Sequence, residues 1–270
     1  MYNNQSVSFP PTLNLAHDPM ITDLELARAA ARAAGEMLKA KFQRGSMVHS
    51  DLGKDIKLAA DLEAEKLILS QLRASSAHPI LSEEAGAEEA FAAAGHRWVV
   101  DPLDGTFNFS RGLPLCCISI ALCDGERPVL GVIHDFMGDV TYEGAVGLGA
   151  WRNGQPMRVS ALTAIDKAAI CTGFPAGREF GADSLIGFVR QVQVFKKVRL
   201  LGSAALSLAQ VAAGAVEVYH EDDINFWDVA AGLALVSAAG GRFECRSGSS
   251  QWQRDVFASN GHFTRPVGES

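Results

Sequence analysis

The chain has no basic block, no long apolar run and no paired-cysteine spacing, and each absence removes a class of protein. Its 24 Lys and Arg are outnumbered by 31 Asp and Glu, giving a net charge of −7 over 270 residues. Binding a polyanion releases counterions only where cations cluster, so no nucleic acid is expected as ligand. No segment approaches the roughly 20 apolar residues of a spanning helix, so no membrane partner is expected either. The stretch Met1–Met20 is polar and proline-containing, without a basic region followed by an apolar one. These features predict a soluble, cytoplasmic protein. Five cysteines, Cys116, Cys117, Cys123, Cys171 and Cys245, form an odd set with no CxxC, which reads as buried thiols in a reducing compartment. The Gly144–Gly149 segment lacks a following Lys-Ser/Thr, which excludes a P-loop. His78, His134 and His220 show no ligand spacing and no neighbouring nucleophile, so they read as structural or exposed.

What is present is a globular composition, 48% hydrophobic, with neither repeats nor low-complexity tracts. Thr22 and Glu25 form a capping-box signature ahead of Leu24, Ala27, Ala31, Leu38 and Phe42, predicting a helix over 23–42. Residues 1–21 then form an N-terminal extension, and the rest, 22–270, one domain with a weakly marked boundary near 150–165. Polar, glycine-containing Gly45–Lys57 predicts an exposed loop, and a second helix is expected from Asp61. Strand character follows at 98–100, 115–123, 129–134, 140–143, 168–172 and 216–220. Helical spacing returns at 182–196, 204–213 and 227–239, the last ended by Gly240-Gly241. Helices and strands interleave without a strict βαβα repeat, so the fold class is α+β, with mixed α/β layers and two sheets.

The most informative stretch is Trp98-Val-Val-Asp101-Pro-Leu-Asp104-Gly105-Thr106-Phe-Asn108-Phe. An apolar strand runs into one carboxylate, Pro102 fixes the turn, and a second carboxylate arrives three residues later. If Gly105 and Thr106 open a short helix, their free backbone N–H groups make a phosphate seat. Acids and an anion repel unless cations intervene, and hard oxygens at such a corner suit Mg²⁺. Taken alone, the stretch also reads as a proline turn with an Asp cap. Ile80-Leu-Ser-Glu83-Glu84 ends an apolar step in paired acids, which otherwise form a solvated pair. Asn225-Phe-Trp227-Asp228 puts an acid at the head of an apolar helix, where it also suits the first turn.

Together, Glu83-Glu84, Asp101-Pro-Leu-Asp-Gly-Thr106 with Asn108-Phe109, and Trp227-Asp228 with its Ala-rich helix resemble the inositol monophosphatase family. These are Mg²⁺-dependent, lithium-sensitive phosphomonoesterases, and the resemblance runs from about residue 22 to 262. It implies alternating αβαβα layers and two or three Mg²⁺ ions. Glu83, Asp101 and the Leu103 carbonyl would hold the first ion; Asp101, Asp104 and Asp228 the second; and Glu83 would help a third. Asp61 matches the acid that pairs with Thr106 to activate the attacking water, although it also reads as the N-cap of its helix. Glu221 and the Gly202-Ser203-Ala204 turn match substrate-hydroxyl contacts, and Asp104, Gly105, Thr106 and Asp228 complete the substrate-binding set.

The resemblance implies a small phosphorylated polyol as substrate, inositol monophosphate first, and a homodimer. Other branches act on histidinol phosphate, fructose 1,6-bisphosphate or 3′-phosphonucleotides, and some bacterial relatives act with RNA-processing machinery as regulatory binding proteins. Two departures stand out. Lys57-Leu58 replaces Val-Thr before the first acidic motif, which is expected to alter third-metal affinity and lithium sensitivity. Phe107 is bulkier than the small polar residue or Lys usual there, which is expected to alter substrate choice.

Overall fold

The computed structural model describes residues 18–44, 49–52, 55–88, 95–174 and 181–265. Helix α1 (Pro19–Arg44) buries Leu24, Ala27, Ala31, Ala34 and Leu38, a stripe at spacings of three and four. It begins earlier than the capping box suggested. Asp18 Oδ1 accepts from the Met20 amide at 2.9 Å and Pro19 takes the first helical position, so Thr22 lies inside the helix. Residues 19–21 thus belong to α1, and residues 1–17 of the expected extension lie outside the described part. The small face lets α1 pack closely: a Cβ on Gly35 would lie 2.6 Å from His134 Cδ2.

The expected loop at 45–57 is instead partly a hairpin. Strand β1 (His49–Leu52) pairs antiparallel with β2 (Asp55–Leu58), because short polar strands can be held by backbone bonds without an apolar alternation to announce them. The side chains of Lys57 and Leu58 lie outside the described residues. Helix α2 (Ala59–Ser75) follows and, with α1, forms the first layer.

The second layer is an eight-stranded sheet. Its members are β3 (Ile80–Ser82), β4 (Gly86–Ala87), β5 (His96–Asp104), β6 (Cys117–Asp124), β7 (Arg127–Asp135), β8 (Val140–Ala145), β9 (Gly149–Arg152) and β10 (Gln155–Pro156), ordered β10-β9-β8-β7-β6-β5-β3-β4. All neighbours are antiparallel except β3 and β5. A short helix α3 (Thr106–Ser110) follows β5. The central layer is α5 (Ala204–Ala212) and α6 (Phe226–Ala238). Beyond it lies a five-stranded sheet of β11 (Ala169–Thr172), β12 (Lys197–Arg199), β13 (Val218–Asn225), β14 (Arg242–Ser247) and β15 (Gln253–Ser259), ordered β12-β11-β13-β15-β14. Helix α4 (Ala182–Val194) packs by β12, and Phe195, Val198 and Phe263 cover the outer face at Ile170, Val218 and Phe257. This is the layered α+β architecture the sequence pointed to.

Helix α6 is apolar on every side because both sheets pack on it. Its backbone approaches β7 so closely that a Cβ on Gly131 would lie 2.2 Å from the Ala231 carbonyl oxygen. Gly232 faces α5 in the same way, with Leu208 Cβ 2.4 Å from its missing Cβ. Among the described residues no helix is long and apolar enough to cross a membrane.

Candidate active site

Strand β5 carries Trp98, Val99 and Val100 through the core and delivers Asp101 and Asp104 at its end. The ladder with β6 shifts register between these two acids, so three residues of β5 span what two of β6 would. The Leu103 amide donates back to Asp101 Oδ1 at 3.0 Å and fixes the turn. Gly105 then caps α3 at φ 88°, a left-handed conformation that glycine adopts without strain. A Cβ there would also lie 2.6 Å from the Leu115 carbonyl oxygen. The Thr106 hydroxyl donates to the Leu103 carbonyl at 2.9 Å, the same carbonyl that the resemblance assigns to a metal. Asn108 ties this corner to the loop before α5, its amide donating to the Leu115 and Leu201 carbonyls at 2.8 Å each.

Asp104 reaches from this corner to the head of α5. Its Oδ2 accepts from the Ser203 hydroxyl at 2.5 Å and the Ala205 amide at 2.8 Å, with the Cys117 thiol at 3.7 Å. Ser203 is also the N-cap of α5, accepting from the Leu206 amide at 3.2 Å. One serine therefore orients a helix and a carboxylate at once, and Ala204 is buried directly behind it. Asp61 is buried inside the first turn of α2, which starts two residues earlier at Ala59, so the N-cap reading of Asp61 does not hold. One helical turn on, Glu65 Oε1 accepts from the Ser82 hydroxyl at 2.5 Å and the Ala85 amide at 2.9 Å. These bonds bracket Glu83 and Glu84 in the β3–β4 turn. Asp228 stands in the first turn of α6, and Glu221 is buried on β13 where that strand bulges against β15.

Glu83, Asp101, Asp104 and Asp228, drawn from a turn, a strand end and a helix head, are thereby brought together. Burial pushes the Glu83 carboxyl up to about 8, with Glu84, Asp61 and Asp104 adding repulsion. Asp104 rises to about 6 by burial, held back by its bonds to Ser203 and the α5 amides. Asp101 and Asp228 are raised well above the carboxylate range by burial and by the surrounding acids. Glu83, Asp104 and Asp228 each repel an ionised Asp101, so the four carboxyl groups resist ionising together. Among the described residues none of the four is paired with a Lys or Arg. Such a set of hard oxygens fits a divalent cation taking the place of the protons that burial retains. Among the described residues, no three such groups stand already as a finished cage.

Other groups behave as structural. His134 is buried against Thr141 at 3.0 Å and burial lowers its pKa. His78 lies 3.4 Å from Asp23, and His220 lies 3.4 Å from Asp222. The cysteines are buried or half-buried free thiols, pushed up by burial to about 12 at Cys116 and about 11 at Cys171 and Cys245. Phe107 is exposed on α3 beside Thr106. Sequence reasoning did not single out Glu65, whose only signal was its i+4 spacing from Asp61. Nor does any local pattern show that Ser203, in the turn matched to a substrate contact, holds Asp104 through its side chain.

The layered fold and its acidic corner place the molecule in a class of layered α+β proteins whose carboxylates gather where strands and helices of separate layers end. The chain belongs to the inositol monophosphatase family, whose sequence profile matches residues 21–268. It is 34% identical over 253 residues to inositol monophosphatase 2 of Solanum lycopersicum, covering 88% of this chain and 94% of that protein. It is 35% identical over 247 residues to the Nus factor SuhB of Pseudomonas aeruginosa, covering 88% and 89%. Among solved structures, the inositol monophosphatase from Anabaena (Nostoc) sp. PCC 7120 superposes with a TM-score of 0.79 at 35% identity, covering 91% of this chain and 93% of that one.

Proposed function

We propose that the chain is a Mg²⁺-dependent phosphomonoesterase acting on a small polyol phosphate, inositol monophosphate foremost. The observation that carries this reading is the convergence of Glu83, Asp101, Asp104 and Asp228 without a paired cation among the described residues. Glu83, Asp101 and the Leu103 carbonyl would hold one ion, Asp101, Asp104 and Asp228 a second, with Glu83 helping a third. Bound divalent cations supply charge relief to the phosphoryl and leaving oxygens in an in-line displacement. The chain's own groups do the rest. Asp61 and Thr106 orient the attacking water and take its proton. The backbone N–H groups of Gly105 and Thr106 receive phosphate oxygens, and Ala204, Glu221, Asp104 and Asp228 position the polyol. The reading covers residues 22–270 as one phosphatase domain in a cytoplasmic, lithium-sensitive homodimer. Light scattering on the purified protein tests the dimer.

Phosphate release should be measured with and without Mg²⁺ across inositol, sugar, histidinol and nucleotide phosphates. A strong Mg²⁺-dependent preference for inositol monophosphate is expected. A preference for another ester would keep the chemistry and move the substrate. No release from any ester, with metal demonstrably bound, would overturn the enzymatic reading in favour of a regulatory binding role.

A further inference from the structure

Glu221 sits in a slot built by two residues outside the motif set. The Tyr219 hydroxyl, wholly buried, donates to Glu221 Oε2 at 2.9 Å. From the other side comes Gly173, which follows β11, the parallel neighbour of β13, in register with the strand that carries Glu221. A Cβ on Gly173 would lie 2.5 Å from both carboxylate oxygens, so its backbone closes that flank. With Oε2 occupied by the phenol, Oε1 takes no hydrogen bond among the described residues. Acceptor-only carboxylates have two oxygens, and fixing one leaves the other aimed in a single direction. Gly173 lies just past the end of β11, beside Glu221 in the middle of β13.

We propose that Tyr219 is a specificity-determining positioning residue: it locks Glu221, with Gly173 as the opposing wall, so that Oε1 accepts a hydroxyl of the polyol leaving group. This deepens the proposed function and rests on its assignment of Glu221 to the substrate. The phenol touches neither phosphate nor reacting atoms, so its contribution belongs to leaving-group recognition and not to phosphoryl transfer. A site built to hydrogen-bond a substrate hydroxyl discriminates strongly, because its polar groups go unpaired when that hydroxyl is absent.

The test compares the wild type, Tyr219→Phe, Gly173→Ala and Glu221→Gln on inositol monophosphate and on 4-nitrophenyl phosphate, whose leaving group carries no hydroxyl for Glu221. Tyr219→Phe keeps the ring packing and removes only the donor. The expected result is a KM for inositol monophosphate raised roughly five- to tenfold with kcat held within about twofold, and 4-nitrophenyl phosphate kinetics held within about twofold. Gly173→Ala should reproduce that pattern by pushing the carboxylate aside. If Tyr219→Phe matches wild type on both esters, or loses both equally, the positioning role is overturned while Glu221→Gln still reports on the underlying reading. If the wild type shows no preference for inositol monophosphate, or Glu221→Gln leaves that preference intact, the polyol reading fails and takes this inference with it.

Discussion

Asp101 is buried with an acid on either side, and its removal separates two effects that usually coincide. Asp101→Asn should lower turnover at least about a hundredfold, since loss of a partner behind a ligand alone can cost up to about that much, while the protein remains folded. Its metal-free melting temperature should be equal or higher, because a group that burial and its acidic neighbours hold from ionising is replaced by one that cannot ionise. Near-wild-type phosphate release would remove Asp101 from the metal set. The same crowding fixes the direction of pH dependence. Glu83 at about 8 and Asp104 at about 6 lie above their ordinary values, so the native metal-free protein binds more protons than the unfolded chain through that window. Stability from these groups is complete below about pH 4 and is lost as pH rises through 6 to 8. Denaturant melts in EDTA should therefore show the midpoint falling between pH 5.5 and 8.5. Added Mg²⁺ should stabilise more at the higher pH, since ligation requires deprotonated carboxylates. A midpoint that rises with pH in EDTA would contradict the clustering.

Helices and strands bring their own predictions, chiefly where two backbones touch. Gly131→Ala must push α6 off β7, since the added carbon meets a backbone carbonyl that cannot turn away. A loss of about 1–3 kcal/mol is expected in urea melts, as for other overpacked interiors. Ser203→Ala should cost about 1–2 kcal/mol as a lost cap, and should also lower activity because Asp104 loses its shortest bond. Unchanged activity in that variant would show that the Ala205 amide alone suffices to hold Asp104. The motifs were readable because each acid follows an apolar stretch that changes abruptly to charge, as at Val100-Asp101 and Leu81-Ser-Glu83. Contacts such as Glu65 to Ala85 or Asn108 to Leu201 join residues distant in the chain, and no local pattern marks them. The β1–β2 hairpin and strands β14 and β15 escape for a different reason. They pair with their own sequence neighbours, but charged residues, Arg242, Glu244, Arg254 and Asp255 among them, break the apolar alternation that announces a strand.

Across the whole molecule the two sheets share a single set of central helices, and one apolar cluster runs from Leu81 and Val99 on one sheet to Tyr219 and Val256 on the other. Neither sheet can lose α5 and α6 without exposing its inner face. Urea unfolding followed by Trp fluorescence and by far-UV circular dichroism should give coincident single transitions. Two separated transitions would mean that the sheets hold together independently.

That shared centre also sets a schedule for synthesis. The eight-stranded sheet is complete in sequence at Pro156, yet the helices that cover its second face end only at Ala238, roughly 80 residues later. At ribosomal speeds of about 5–20 residues per second, the nascent sheet waits on the order of 4–16 s with Leu81, Val99, Ile133 and their neighbours bare. During that interval the growing chain is a natural client for a holdase chaperone, and slowing elongation between β10 and α5 would raise the fraction lost to aggregation before the enzyme is ever finished.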